Sequence, residues 1–352
     1  EIVQGNVEFD LEEKTVAANL HGQLFPATLL HLAHIESGNL SSIATLTTPI
    51  HFTAKLPSSP LEWQKLNPRL ECHFNSMPLY GLQIHRGRFV LVSTPPTIAI
   101  SELHLSLNPA NTEWLAGDLT FNLNTKTIAA ELNGELPVFH HARHIGLQLP
   151  TAWFGAERRN LKLHLDMKES PIASWQQWHA TATAETRYLP ILDASLYNPK
   201  ITLELKNAVL TMTSATAGLP GLPADAVHFT ASASLADLVD SKPTAIAFSA
   251  RVLAHNPGAD ADSFATALDW QGEAVCDVDK SRLSVTSRGT VFPDRIYQTY
   301  QTPLKLPADD IVGQIRCPKN PVSFSLDMPE TEIAGSQNWK VLAQLHSDGG
   351  SF

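Results

Sequence analysis

Charge is scarce in this chain, and positive charge is scarcest. Only 17% of its 352 residues are Asp, Glu, Lys or Arg, against roughly 25% in average globular proteins. There are 25 basic and 35 acidic residues, so the formal net charge is −10. That excess argues against nucleic-acid binding and against docking on an anionic bilayer, because both need a positive surface. Cysteine is scarce too: only Cys72, Cys276 and Cys317 occur. An odd count cannot be fully paired, so the chain is not a disulfide framework. Cys276 reads as a small buried hydrophobe, with a Cys276–Cys317 bridge left open for an oxidising compartment. No apolar run is long enough for a transmembrane helix, and no signal peptide is recognisable. The chain opens on Glu1-Ile2-Val3-Gln4 without an initiator methionine, and a processed or excised piece of a longer protein is expected. Nucleophile elbows, P-loops and dinucleotide fingerprints are missing as well. Apolar residues at 43% are not in excess. The polar surface must therefore be rich in Ser, Thr, Asn and Gln, which suits β-rich secreted or envelope proteins.

What the chain has is a hairpin written three times. Gly5 to Gly22 reads GNVEFDLEEKTVAANLHG, Gly117 to Gly134 reads GDLTFNLNTKTIAAELNG, and Gly272 to Gly289 reads GEAVCDVDKSRLSVTSRG. The two glycines are 17 residues apart each time, and Pro26, Pro137 and Pro293 follow. Apolar residues alternate along the first arm: Val7, Phe9, Leu11; Leu119, Phe121, Leu123; Ala274, Cys276, Val278. After a polar turn they alternate again through Val16, Ala18, Leu20, through Ile128, Ala130, Leu132, and through Leu283, Val285. Period-two alternation places one set on each face of a strand, so each copy is an antiparallel hairpin with one apolar face.

The prolines open short helices over 27–34, 138–145 and 294–300, since proline suits a first helical turn. A strand ending near a second proline and a tryptophan comes next: Pro60 with Trp63, Pro171 with Trp175 and Trp178, Pro329 with Trp339. These landmarks divide the chain into unit 1 (5–116), a longer unit 2 (117–271) and a truncated unit 3 (272–352). Between them lie strands over 89–92, 98–100, 103–107, 201–205, 208–212, 229–235 and 245–250, and loops over 215–226 and 255–263. The expected fold is mainly β: an elongated array of repeated antiparallel hairpins forming a curved sheet or groove, each unit burying its face on the next.

This pattern resembles the AsmA-like family, related to TamB and the bridge-like lipid transfer proteins. The resemblance rests on the glycine, the alternating arms, the closing proline and the short helix. It also rests on His85-Arg86-Gly87-Arg88-Phe89 and Leu103-His104-Leu105. It implies a long curved sheet with a hydrophobic concave face, in a protein of the periplasm or cell envelope that serves lipid transport or outer-membrane assembly. It also implies an N-terminal membrane anchor, which is not among these residues and is expected in a longer parent chain. Envelope protein partners are a further implication.

Candidate chemical sites are outweighed by plainer readings. His140, His141 and His144 lack a third ligand of fixed spacing and have Arg143 among them, so a solvated helix face is preferred to a metal site. Asp260 and Asp262 resemble the start of a calcium loop, but Gly258 offers no side-chain oxygen. Arg158-Arg159 with Arg143 reads as a solvated edge. Trp63, Trp175, Trp178 and Trp339 read as packing rather than sugar stacking, because they recur at one place in the repeat. The leading expectation is therefore non-enzymatic, with no cofactor and no metal. Its apolar face would hold lipid acyl chains along Phe9, Leu11, Leu20, Phe121, Leu123, Ile128, Leu132, Val278 and Leu283. A structural or adhesive β-repeat with a closed core needs the same alternation, and a glycan-binding module stands third.

Overall fold

A computed structural model of the chain describes residues 1–28, 48–62, 66–79, 82–137, 160–191, 194–219, 222–240, 242–255, 263–277, 279–300, 320–332 and 340–347. Nineteen strands account for most of them and belong to one antiparallel sheet. The described residues fall into two compact units, up to Ala182 and from Thr183 onward.

The first unit holds β1 (Ile2–Asp10), β2 (Thr15–Leu24), β3 (Ile50–Pro60), β4 (Arg69–Leu79), β5 (Leu82–Thr94), β6 (Thr97–Ser106), β7 (Trp114–Asn122), β8 (Thr127–Leu136) and β9 (Leu161–Pro171), with β10 (His179–Glu185) beginning there. The second holds β11 (Tyr188–Ile191), β12 (Ala194–Lys206), β13 (Val209–Gly218), β14 (Val227–Ser234), β15 (Thr244–His255), β16 (Phe264–Asp277), β17 (Arg282–Val291), β18 (Val322–Glu332) and β19 (Leu342–Ser347). Strands pair with their sequence neighbours, as in a meander. The one variation is that β12 pairs with both β10 and β11. The sheet does not close on itself: β1 pairs only with β2, and β19 only with β18, among the described residues.

The three expected hairpins are β1–β2, β7–β8 and β16–β17, and their registers agree residue for residue. The first glycine of each lies opposite the same position, as Gly5↔Leu20, Gly117↔Leu132 and Gly272↔Ser287. The second does likewise, as Gly22↔Val3, Gly134↔Leu115 and Gly289↔Trp270. The turns match as well. Lys14, Lys126 and Ser281 occupy one position and share a left-handed φ of 53°, 53° and 51°. The third strand of each unit carries a bulge at the same place, between the partners of Val16/Ala18, Ile128/Ala130 and Leu283/Val285. A hydroxyl sits there each time. Ser59, Ser170 and Thr331 donate to the carbonyls of Pro57, Lys168 and Pro329 at 2.7, 2.6 and 2.6 Å. A bulge leaves backbone groups off the ladder, and a short hydroxyl side chain satisfies one of them locally.

Other expectations meet the structure in detail. The segments 98–100 and 103–107 are not separate strands. They belong to the single strand β6, which a bulge at Ser101–Glu102 interrupts without ending it. The β12–β13 turn is at Asn207-Ala208, both with positive φ, as a tight two-residue hairpin requires. Leu235 starts helix α1 (Leu235–Val239) instead of ending a strand. Of the post-proline helices, α2 (Pro293–Tyr300) is present, and Pro26–Thr28 forms a helical start with Thr28 N–H donating to the Phe25 carbonyl at 3.0 Å. The segment 138–145 and most of 27–34 and 255–263 lie outside the described residues. Trp178 packs at the end of β9, its indole N–H donating to the Pro171 carbonyl at 2.9 Å, while Trp63 and Trp339 lie outside the described residues.

Candidate functional site

Residues directly opposite in an antiparallel pair point to the same face, so the registers trace each face across the strands. In the first unit one face begins on β1 and β2 with Val3, Gly5, Val7 and Phe9 opposite Gly22, Leu20, Ala18 and Val16. It continues as Leu20↔Ala54 and Leu24↔Ile50, then Phe52↔Cys72 and Ala54↔Leu70, then Cys72↔Phe89 and Leu70↔Leu91. Beyond β5 it runs through Leu91↔Ile100 and Gly87↔Leu105 to Ile98↔Phe121, Ile100↔Leu119 and Leu105↔Leu115. It ends in Phe121↔Ile128, Leu119↔Ala130, Leu132↔Leu165 and Gly134↔Leu163. None of these positions is charged.

The second unit repeats the arrangement. Leu203↔Met212 and Leu205↔Leu210 lead through Ala215↔Phe229 and Ala231↔Phe248 to Ala250↔Trp270 and Ile246↔Ala274. Cys276↔Leu283, Val285↔Met328 and Gly289↔Phe324 follow. The opposite face is polar in both units. His51 stacks on His73 with ring centroids 5.0 Å apart. Arg69 reaches Glu71 and Glu102 at 3.5 and 3.4 Å. Thr230 and Ser249 share a hydrogen bond of 2.8 Å.

The apolar face is not uniformly covered. Leu24, Ile50, Phe52, Cys72, Phe74, Met77 and Ile84 form a buried cluster, with Leu20, Leu70, Phe89, Leu105 and Leu107 packed against it. Burial pushes the Cys72 thiol up to about 12, because a thiolate there would lose its hydration. Further along, Leu115, Leu119, Phe121, Ile128 and Leu132 are only half-buried. All nineteen described strands belong to this one sheet, so no separate sheet among the described residues is stacked on that face.

The residues expected along the face divide into three groups. Leu20, Phe121, Ile128, Leu132 and Leu283 stand on it and are half-buried. Phe9 stands on it at the edge, 63% exposed. Leu11 and Leu123 do not belong to strands: each opens the turn and is 81% and 38% exposed. The alternation breaks one residue earlier than the hydrophobic pattern indicates, because Asp10, Asn122 and Asp277 close the turn. The Asp10 carboxylate accepts from Glu12 and Glu13 N–H at 2.9 Å each, and the Asn122 side-chain oxygen from Asn124 and Thr125 at 3.1 and 3.2 Å. Asp277 accepts from Lys280 N–H at 3.1 Å and pairs with its ammonium at 2.7 Å. The signal was an Asp or Asn at one fixed position before every polar turn, the habit of Asx-turns. Val278 lies outside the described residues.

Cys276 is a free, half-buried thiol, raised first by burial and then by the neighbouring Asp277 charge. Cys317, the histidines 31, 34, 140, 141 and 144, Asp260, Asp262 and the arginines 143, 158 and 159 lie outside the described residues. Among the described residues no group of three His, Cys, Asp or Glu is placed to hold a metal ion. No described helix is long and apolar enough to cross a membrane. No protein-family model, curated protein or solved structure matches the chain.

Proposed function

We propose that this chain is a non-enzymatic cell-envelope protein of AsmA-like type that holds lipid acyl chains against the apolar face of its sheet. In this reading it serves intermembrane lipid transport or outer-membrane assembly. It works in the periplasm and is tethered through a segment outside this sequence. The observation that carries the reading is the absence of charge along one face through every described register, combined with half-burial of Leu119, Phe121, Ile128 and Leu132. A face that buries hydrocarbon gains about 0.8 kcal/mol per methylene removed from water. A charged group on it would be costly to desolvate, which explains why the charged residues of these strands stand on the other face.

One observation favours the closed-core reading for part of the face. The cluster from Leu24 to Ile84 is already buried within the protein, so acyl chains are assigned to the half-buried stretch over β6–β9 and its counterpart over β15–β18. Native mass spectrometry of protein purified without detergent tests the proposal. Retained or readily acquired phospholipid is the expected result. Protein that stays lipid-free after incubation with phospholipid vesicles would give first place to the structural or adhesive reading.

A further inference from the structure

The third hairpin departs from its sisters at two adjacent places on the apolar face. Ser287 stands opposite Gly272, where the other hairpins have Leu20 and Leu132. Trp270 stands opposite Gly289, where they have Val3 and Leu115. Each exchange brings a hydrogen-bonding group onto an apolar stretch. Ser287 is only 4% exposed. Its hydroxyl oxygen and the Trp270 indole nitrogen are buried, and neither has a hydrogen-bond partner among the described residues. Buried polar groups are almost always paired, because an unpaired one forfeits its hydration and gains nothing in exchange.

The two groups lean toward one spot. Gly272 makes room for Ser287: a Cβ added to it would sit 2.4 Å from the serine Cβ. On the far side of Gly272 stands Phe248, its register partner on β15. The Trp270 ring packs edge-to-face on Phe248, with centroids 5.1 Å apart and planes at 75°. The indole therefore reaches along β16 into the row that Ser287 occupies. Trp270 faces Ala250 across the ladder and Ser287 faces Leu326, and neither neighbour has a polar side chain. Phe248, Trp270 and Phe324 are half-buried, so a ligand reaches the pair by displacing side chains and leaves the strands in place.

An indole N–H can only donate, and a hydroxyl can donate as well, so the ligand atom they share is an acceptor. It is also neutral. No charged residue stands in these registers to offset a carboxylate or phosphate, and an unpaired buried anion is costly. On the reading that acyl chains lie along β15–β18, we propose that Trp270 and Ser287 hold the carbonyl oxygen of an acyl ester, the indole N–H and the hydroxyl both donating to it. The hydrocarbon then lies on the apolar face while its ester is fixed at one place.

Displacement of a fluorescent diacyl phospholipid from the whole chain tests this. The competitors are phosphatidylcholine vesicles of two kinds, diacyl and dialkyl, matched in chain length; the dialkyl lipid lacks the carbonyls. Diacyl lipid is expected to compete about tenfold better. Ser287→Ala and Trp270→Phe should each weaken the diacyl lipid about fivefold, the worth of roughly one hydrogen bond, and leave the dialkyl lipid unchanged. The Ser287 hydroxyl is unpaired in the free protein, so the lipid-free melting temperature of Ser287→Ala does not fall. Equal competition by the two lipids in the native protein would overturn the ester assignment while leaving acyl binding in place. Failure to take up the fluorescent lipid at all would overturn both. A diacyl preference that survives both substitutions, or a lowered lipid-free melting temperature for Ser287→Ala, would also overturn the assignment.

Discussion

Gly117 lies against the backbone of Glu131: a Cβ added to it would sit 2.0 Å from the Glu131 carbonyl oxygen. The same relationship holds Gly5 against Asn19 at 2.1 Å. With φ at +151°, an alanine there is strained twice, by its own backbone and by a carbonyl that is fixed in the ladder. Gly117→Ala is expected to cost about 1–3 kcal/mol or more, read as a lowered denaturant midpoint. Thr120→Ala, three residues along on the exposed polar face, should move stability by no more than about 0.5 kcal/mol. Equal midpoints for the two would contradict the hairpin geometry.

Neighbouring positions on β7 should respond oppositely to a carboxylate. Phe121→Asp puts an unpaired charge on the apolar face, at a cost of several kcal/mol (~3 or more). Asn122→Asp keeps the oxygen that closes the turn, as Asp10 and Asp277 do in the sister hairpins, and should be nearly neutral. Asn122→Leu removes that oxygen and is expected to cost about 1 kcal/mol. Thermal unfolding of the three variants checks the order.

The third hairpin carries a pH signature. Hydrogen bonds from the Lys280 ammonium and N–H hold the Asp277 carboxyl below its usual range. A carboxylate depressed on folding contributes stability that is full above its unfolded value and is lost as pH falls through the folded value. The stability difference between the native protein and Asp277→Asn should therefore be flat above about pH 5 and shrink below about pH 4. A difference that grows on acidification would contradict the pairing.

Much of the fold was legible because the repeat is long and its alternation strict. Glycine spacing and period two located three hairpins whose registers coincide. The end of each first arm was misread at Leu11 and Leu123. Hydrophobicity continues past the point where Asp10 and Asn122 turn the chain, and side-chain capping overrode the pattern. The bulges that place Ser59, Ser170 and Thr331 were also invisible, because an extra residue leaves no mark in hydropathy. The apolar face itself was readable as a parity. How much of it the protein covers was not, since burial of Leu24, Ile50 and Phe74 depends on which strands become neighbours.

Cys72 reports on the sealed part of that face. Its thiol is buried and pushed up to about 12, and thiolate is the reactive form. Alkylation by iodoacetamide at pH 8 should leave Cys72 unmodified in the native protein and modify it fully in denaturant. Peptide mapping that finds native Cys72 alkylated as fast as a free thiol would show this part of the face to be open.

The central claim is that the half-buried apolar face meets lipid. Site-specific photo-crosslinking in an envelope extract tests it most directly, with a photoreactive residue at Phe121 or Leu132 compared with Thr120 or Glu131. Thr120 and Glu131 are exposed on the opposite face of the same strands and spare the turn-closing Asn122. Lipid adducts from Phe121 and Leu132, with none from Thr120 or Glu131, are the predicted result. Adducts from Phe121 and Leu132 confined to protein, or lipid labelling of equal strength from both faces, would contradict it.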